Sequence, residues 1–273
     1  MLVTRPLGDA QAWCERFRKV GFDVLQLPLI EIAPVTNLRE LESAWLRISS
    51  FDAVMFVSGN AVLHFFAAKP ALVQFAANQG RCVTRAWATG PGTQQALLAA
   101  GVNPGCIDTP DISAAQFDSE ALWEVVMPQV TAQTRVLIVR GASTRPPDQP
   151  TDGFGSDKRA VAADGRDWLA QRLAQCACAV EILVAYQRTA PAFTPAQKSL
   201  VKRAALDRTV WVLSSSEAVN NLATAFPGQT WENARAVATH ARIALSARQA
   251  GFGVVCESRP SFDSVVASIE SMG

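Results

Sequence analysis

Tyrosine, histidine and net charge are what this chain of 273 residues has least of: one tyrosine, two histidines and a formal charge of +1. A near-balanced charge excludes a global electrostatic field for nucleic acid or a membrane surface, leaving room only for a local basic pocket. No apolar run approaches the ~20 residues of a spanning helix. The start, Met1-Leu2-Val3-Thr4-Arg5-Pro6, reads as a strand and lacks the parts of a secretory signal, so a cytoplasmic chain is expected. The six cysteines are Cys14, Cys82, Cys106, Cys176, Cys178 and Cys256. They are scattered, fit no zinc-ligand spacing and are expected to be reduced, with no metal. Nucleotide fingerprints are missing too. Gly90-Pro91-Gly92 would need a glycine at Gln95 to read GxGxxG, and no GxxxxGK[ST] loop occurs. Asp, Glu and His form no recognisable dyad or triad. His64 reads as a core or boundary histidine on an apolar helix. His240 opens a helix, where it either caps or meets an anion.

What is present is alternation. At ~150 residues per domain the length suggests two domains, and 49% hydrophobic residues suffice for two cores. Strand-like runs are Leu2-Val3-Thr4, Val24 to Leu27, Ala53 to Val57, Val83 to Ala88, Val136 to Val139, Val180 to Val184, Val210 to Leu213, Ala236 to Ala238 and Val254 to Cys256, with Cys106-Ile107 weaker. Helical periodicity separates most of them, beginning with Ala10, Trp13, Cys14 and Phe17. This is α/β, with parallel sheets covered by helices on both faces.

The pattern also repeats. Val57-Ser58-Gly59-Asn60-Ala61-Val62 resembles Leu213-Ser214-Ser215-Ser216-Glu217-Ala218-Val219, and Ala88-Thr89-Gly90-Pro91-Gly92-Thr93 answers Ala238-Thr239-His240-Ala241-Arg242. The N-terminal β-α-β has its counterpart in Val136 to Gly141, Asp167 to Leu173 and Val180 to Leu183. One unit is therefore split: 1–34 plus 190–273 form a discontinuous first domain and 35–189 a second. Two crossings join them, near Pro28 to Val35 and Val184 to Pro191, a connectivity suited to hinge closure. The stretch 142–163 is rich in proline, glycine and charge and is expected to be a mobile loop.

Ser58, Gly59 and Asn60, then Thr93, then Ser214, Ser215 and Ser216 all stand where a strand ends and a helix starts. Unpaired helix N–H groups and small residues there suit either plain capping or close approach of an anion. Arg5 and Arg140 follow corresponding strands, and Arg166 opens a helix; each could pair with carboxylates. Tyr186 lies at the second crossing.

These motifs, in this order and over nearly the whole chain, resemble the uroporphyrinogen-III synthase family. The likeness runs through Val3-Thr4-Arg5-Pro6, Phe56 to Val62, Ala88 to Thr93, Val139-Arg140-Gly141, Gly165-Arg166, Tyr186-Gln187-Arg188-Thr189 and Leu213 to Ser216. It implies two similar parallel-sheet, flavodoxin-like domains joined by a two-stranded linker. It implies a cofactor-independent, cyclising hydro-lyase of tetrapyrrole (haem) biosynthesis. Such an enzyme closes hydroxymethylbilane to uroporphyrinogen III with loss of water and inversion of the terminal ring. Tyr186 then becomes the catalytic residue, since a phenol is protonated at neutral pH and can donate. Arg5, Ser58, Gly59, Asn60, Thr93, Arg140, Gly141, Arg166 and Ser214 to Ser216 would bind the substrate's carboxylates. The partner is a small molecule, the linear tetrapyrrole, met by a monomer; a transient contact with the enzyme that supplies it is compatible. Nucleic acid and membrane are not expected partners. The chain departs from the family pattern at Thr239-His240-Ala241-Arg242, where many members have a Gly-Pro-Thr-like turn, and in the length of 142–163. A non-catalytic two-lobed module for small anions shares the same layout and is the alternative.

Overall fold

The computed structural model describes residues 1–71, 73, 75, 77–78, 81–111, 118–143 and 165–272. The expected loop 142–163 lies outside the described residues from 144 onward; 142 and 143 end a strand. In chain order the elements are β1 (Leu2–Val3), α1 (Leu7–Lys19), β2 (Leu25–Gln26), β3 (Glu31–Pro34), α2 (Arg39–Leu46), β4 (Ala53–Phe56) and α3 (Gly59–Ala67). There follow β5 (Ala77–Asn78), β6 (Arg81–Cys82), β7 (Arg85–Ala88), α4 (Pro91–Ala99), β8 (Ile107–Asp108), α5 (Ser119–Val126), β9 (Arg135–Ser143), α6 (Gly165–Gln175) and β10 (Ala179–Thr189). The last are α7 (Pro195–Ala204), β11 (Val210–Leu213), α8 (Ser216–Ala225), β12 (Arg235–Ala238), α9 (Ala241–Gln249), β13 (Val254–Glu257) and α10 (Phe262–Glu270).

The chain divides into two compact units, Met1–Ile32 with Arg188–Gly273, and Ala33–Gln187. The first holds a parallel sheet ordered β13-β12-β11-β1-β2. Successive strand residues point to opposite faces, and the core divides accordingly. Leu2, Trp211, Leu213, Ala236 and Ala238 face Val201, Val219, Leu222 and Ala244 on α7, α8 and α9. Val3, Val212 and Val237 face Ala10, Cys14 and Phe17 on α1 and Phe262, Val265 and Ile269 on α10. A buried aliphatic or aromatic side chain contributes about 1.5–3 kcal/mol, so both faces are needed to hold so short a set of strands.

The second unit holds the sheet β3-β10-β9-β4-β7-β8, with β4 parallel to β7 and β9, and β7 parallel to β8. Ala53, Met55, Trp87, Val136 and Ile138 pack against Leu122, Trp123 and Val126 of α5 and Leu169 and Leu173 of α6. On the other face Phe56 meets Phe65 and Phe66 of α3. Trp45 of α2 stacks on Phe65, ring centroids 4.5 Å apart, and donates its indole N–H to the Phe65 carbonyl at 2.8 Å.

Without β3, the second sheet reads β8-β7-β4-β9-β10, and the first reads β13-β12-β11-β1-β2. The two have one topology, as the repeated turns required. The glycines that close α4 and α9 correspond as well: Gly101 and Gly251 have φ of 83° and 97°, where a side chain would be strained.

Two expectations need correction. Cys82 and Cys106 form a disulfide, with Cα atoms 5.6 Å apart, so not all six thiols are free. Pairing of β7 with β8 brings together the segments just outside them, which a spacing of 24 residues does not reveal. The strand expected over Val180 to Val184 runs on to Thr189. Polar Gln187 to Thr189 break the apolar pattern, so the sequence did not show that the strand continues through them.

Candidate active site

In parallel α/β sheets, ligands collect at carboxyl strand ends where the strand order reverses. In the second unit that point lies between β4 and β9, because β7 and β8 extend the sheet one way and β10 the other. Beyond β4 come Ser58, Gly59 and Asn60, and Arg140 and Gly141 lie in the last part of β9. Beside them, past β7, come Pro91, Gly92 and Thr93 at the start of α4.

Tyr186 belongs to this point. The Ala179 N–H donates to the Thr134 carbonyl at 2.9 Å. Advancing equally along β10 and β9 from that bond brings Tyr186 beside Gly141. A Cβ built on Gly141 would lie 2.5 Å from both Cε2 and Cζ of the phenol ring and 3.0 Å from Cδ2. Glycine is what admits the ring. The phenol oxygen shares a 3.0 Å hydrogen bond with Oγ of Ser58. That Oγ also caps α3, accepting from the Ala61 N–H at 3.2 Å. On α3 the imidazole of His64 stacks on the phenol, centroids 5.5 Å apart and planes 23° from parallel. Burial pushes His64 below the ordinary imidazole value, which favours the neutral ring. Tyr186 is 3% exposed.

The two helix starts nearby differ in how they are finished. α3 is capped by Ser58, whereas α4 begins Gly90-Pro91 with no side-chain cap. Gly59 lies against the Gly92 carbonyl, 3.6 Å from a built Cβ, so the two starts are packed together. Thr93 is 5% exposed in the first turn of α4. Arg140 is half-buried. Arg166 lies in the first turn of α6, and its side chain falls outside what the structure describes.

In the first unit the reversal lies between β1 and β11. Arg5 follows β1, and Ser214, Ser215 and Ser216 follow β11. The Arg5 guanidinium sits 4.2 Å from the Trp13 ring centroid, and its enclosed Nε has no hydrogen-bond partner. Burial lowers its pKa, opposed by Asp9. Ser215 is the N-cap residue of α8, yet its hydroxyl makes no capping bond. His240 does cap: its Nδ1 accepts from the Arg242 N–H at 3.1 Å. The sequence left both cap and anion roles open for these turns, and the turns differ: Ser58 and His240 cap, Ser215 does not.

Sequence reasoning missed His64 as a neighbour of Tyr186. The signal was weak: it lies on the helix that Ser58 opens, on the same face as Asn60. Among the described residues no group of three His, Cys, Asp or Glu could hold a metal, and no helix is long and apolar enough to cross a membrane.

Residues 11–147 match the family model described as uroporphyrinogen-III synthase HemD. The chain belongs to the uroporphyrinogen-III synthase family. A mutant uroporphyrinogen III synthase from the extremely thermophilic bacterium Thermus thermophilus is similar in structure, with a TM-score of 0.55 at 16% identity, over 99% of this chain and 97% of that one. The uroporphyrinogen-III synthetase of Helicobacter pylori gives 0.56 at 15%, over 92% and 94%. At such identity these likenesses carry the fold alone, the two-domain α/β fold of the family. No curated protein matches the sequence.

Proposed function

We propose that this chain converts hydroxymethylbilane to uroporphyrinogen III in tetrapyrrole biosynthesis, as a cyclising hydro-lyase that needs no cofactor. The observation that carries the reading is the phenol of Tyr186, held over Gly141 and bonded to Ser58 at a carboxyl strand edge, in a chain of this family. The Ser58 hydroxyl accepts a hydrogen bond from the Ala61 N–H at the helix start and can donate its own to the phenol oxygen. The phenol's proton is then directed outward, to the terminal hydroxyl of the substrate. Protonation lets that hydroxyl leave as water when its C–O bond breaks; a pyrrole carbon of the far end supplies the electron pair that forms the closing C–C bond, and the proton that pyrrole then loses restores the phenol. Contact with substrate requires local opening around the buried phenol.

The substrate's eight carboxylates need donors, and those donors are the helix starts at Ser58 to Asn60 and Thr93, the hydroxyls of Ser214 to Ser216, and Arg5, Arg140 and Arg166. An orienting site of this kind can remove as much as ~7–11 kcal/mol from a barrier by placing the reacting ends together. The two compact units are taken as the two domains, and the protein as a cytoplasmic monomer that receives its substrate in passing contact with the supplying enzyme. The test is product identity: purified protein given freshly generated hydroxymethylbilane yields the type III isomer, against the type I ring that forms spontaneously. Formation of type I alone would exclude the reading in favour of a binding module.

A further inference from the structure

The side chain of Tyr186 makes three contacts within the second unit. The hydroxyl is tied to Ser58. One part of the ring lies against the Gly141 backbone, close enough that a single methyl would collide with it. The imidazole of His64 stacks near it, centroids 5.5 Å apart and planes 23° from parallel. His64 makes this contact from the second turn of α3, whose first turn follows the Ser58 cap. The helix cannot shift easily under it, because Phe65, the next residue, is stacked on Trp45 and hydrogen-bonded to it through its carbonyl. One helix with its cap thus holds the phenol at two points, oxygen and ring.

We propose that His64 is a positioning residue for Tyr186, acting through the flat face of its ring rather than as an acid, base or substrate ligand. It rests on the reading above in one respect only, that Tyr186 is the reacting phenol; that His64 orders the ring does not depend on it. Contact with one backbone strand cannot by itself stop the ring from tilting. A second, planar partner restricts it further, and paired aromatic rings favour a limited set of geometries. Any flat aromatic side chain should serve, and a polar chain of similar length should not.

The chain's single tyrosine makes the test clean. Tyrosine labelled with 13C in the ring gives NMR signals from Tyr186 alone. His64→Ala and His64→Gln should change the ring's chemical shifts and speed its flipping, while His64→Phe keeps flipping slow. In turnover of hydroxymethylbilane to the type III isomer, Ala and Gln should lower kcat roughly 3- to 10-fold with KM nearly constant, the range expected when a stacked pair is lost. Phe should recover most of that. His64 is half-buried on a helix surface, so thermal melts serve as the folding control. Wild-type tyrosine signals in both His64→Ala and His64→Gln overturn the positioning role. So does rescue by Gln equal to rescue by Phe. Should the wild type make no type III isomer while the NMR changes appear as expected, the proposed reaction fails and the positioning stands.

Discussion

Replacing Gly141 by alanine opposes two effects of opposite sign. Gly141 lies within β9 and has none of the positive φ that demands glycine. By backbone entropy alone, Gly→Ala there should stabilise by about 0.4–1 kcal/mol. The new methyl, however, would stand 2.5 Å from two ring carbons of Tyr186, where carbon atoms rest ~3.5–4.0 Å apart. The ring must therefore give by about 1 Å. It is 3% exposed and tied to Ser58, so it has no free direction to move. Overpacking of this kind costs about 1–3 kcal/mol, and the net expectation is destabilisation. A misplacement of about 1 Å at the reacting group can also cost roughly 100-fold in rate. Chemical denaturation should show a loss of about 1–2 kcal/mol, and kcat for the type III product should fall on the order of 100-fold. In a Tyr186→Ala background the same change should turn neutral or stabilising. Stabilisation by Gly141→Ala in the wild-type background, with turnover intact, would refute the packing argument.

Three other outcomes follow from the same geometry. Ser58→Ala removes the cap of α3 and the partner of the phenol; denaturation should record a loss of about 1–2 kcal/mol, while Ser215→Ala, whose hydroxyl caps nothing, should change stability little. His64 titrates below its ordinary 6.5 because of burial, so the unfolded chain takes up that proton first. Its contribution is complete above pH 6.5 and is lost as pH falls below it toward the folded value; the difference in unfolding free energy between wild type and His64→Phe should be flat above that pH and change below it. Cys82 and Cys106 are bonded, and Cys14, Cys176, Cys178 and Cys256 are not. Thiol titration of the unreduced, denatured chain should find four groups, and reduction should lower stability by about 3 kcal/mol for a loop of this length.

The α/β reading was legible because periodicity is local. Apolar runs such as Val210 to Leu213 gave strands directly, and the likeness of the turns after β4 and β11 anticipated one topology in two sheets. The contacts around Tyr186 were not legible in the same way. Ser58 and Tyr186 are 128 residues apart and meet only because β9 alone separates β4 from β10 in the sheet. Gly141 stood out as a candidate substrate contact, but its contact with the phenol ring could not be read from the sequence. His64 looked like a boundary histidine and is half-buried, but no helical pattern could say which ring it covers. The same limit hid the Cys82–Cys106 bond, which depends on how β7 pairs with β8.

The central claim is that the phenol oxygen of Tyr186 assists loss of the substrate hydroxyl. Tyr186→Phe removes that one atom and keeps the ring's contacts with Gly141 and His64. Resolved by product isomer, turnover of hydroxymethylbilane by this variant should fall about 10²–10⁴-fold, as for loss of a general acid. The type I ring should then dominate, with the melt little changed. Type III formation at the wild-type rate would contradict the account.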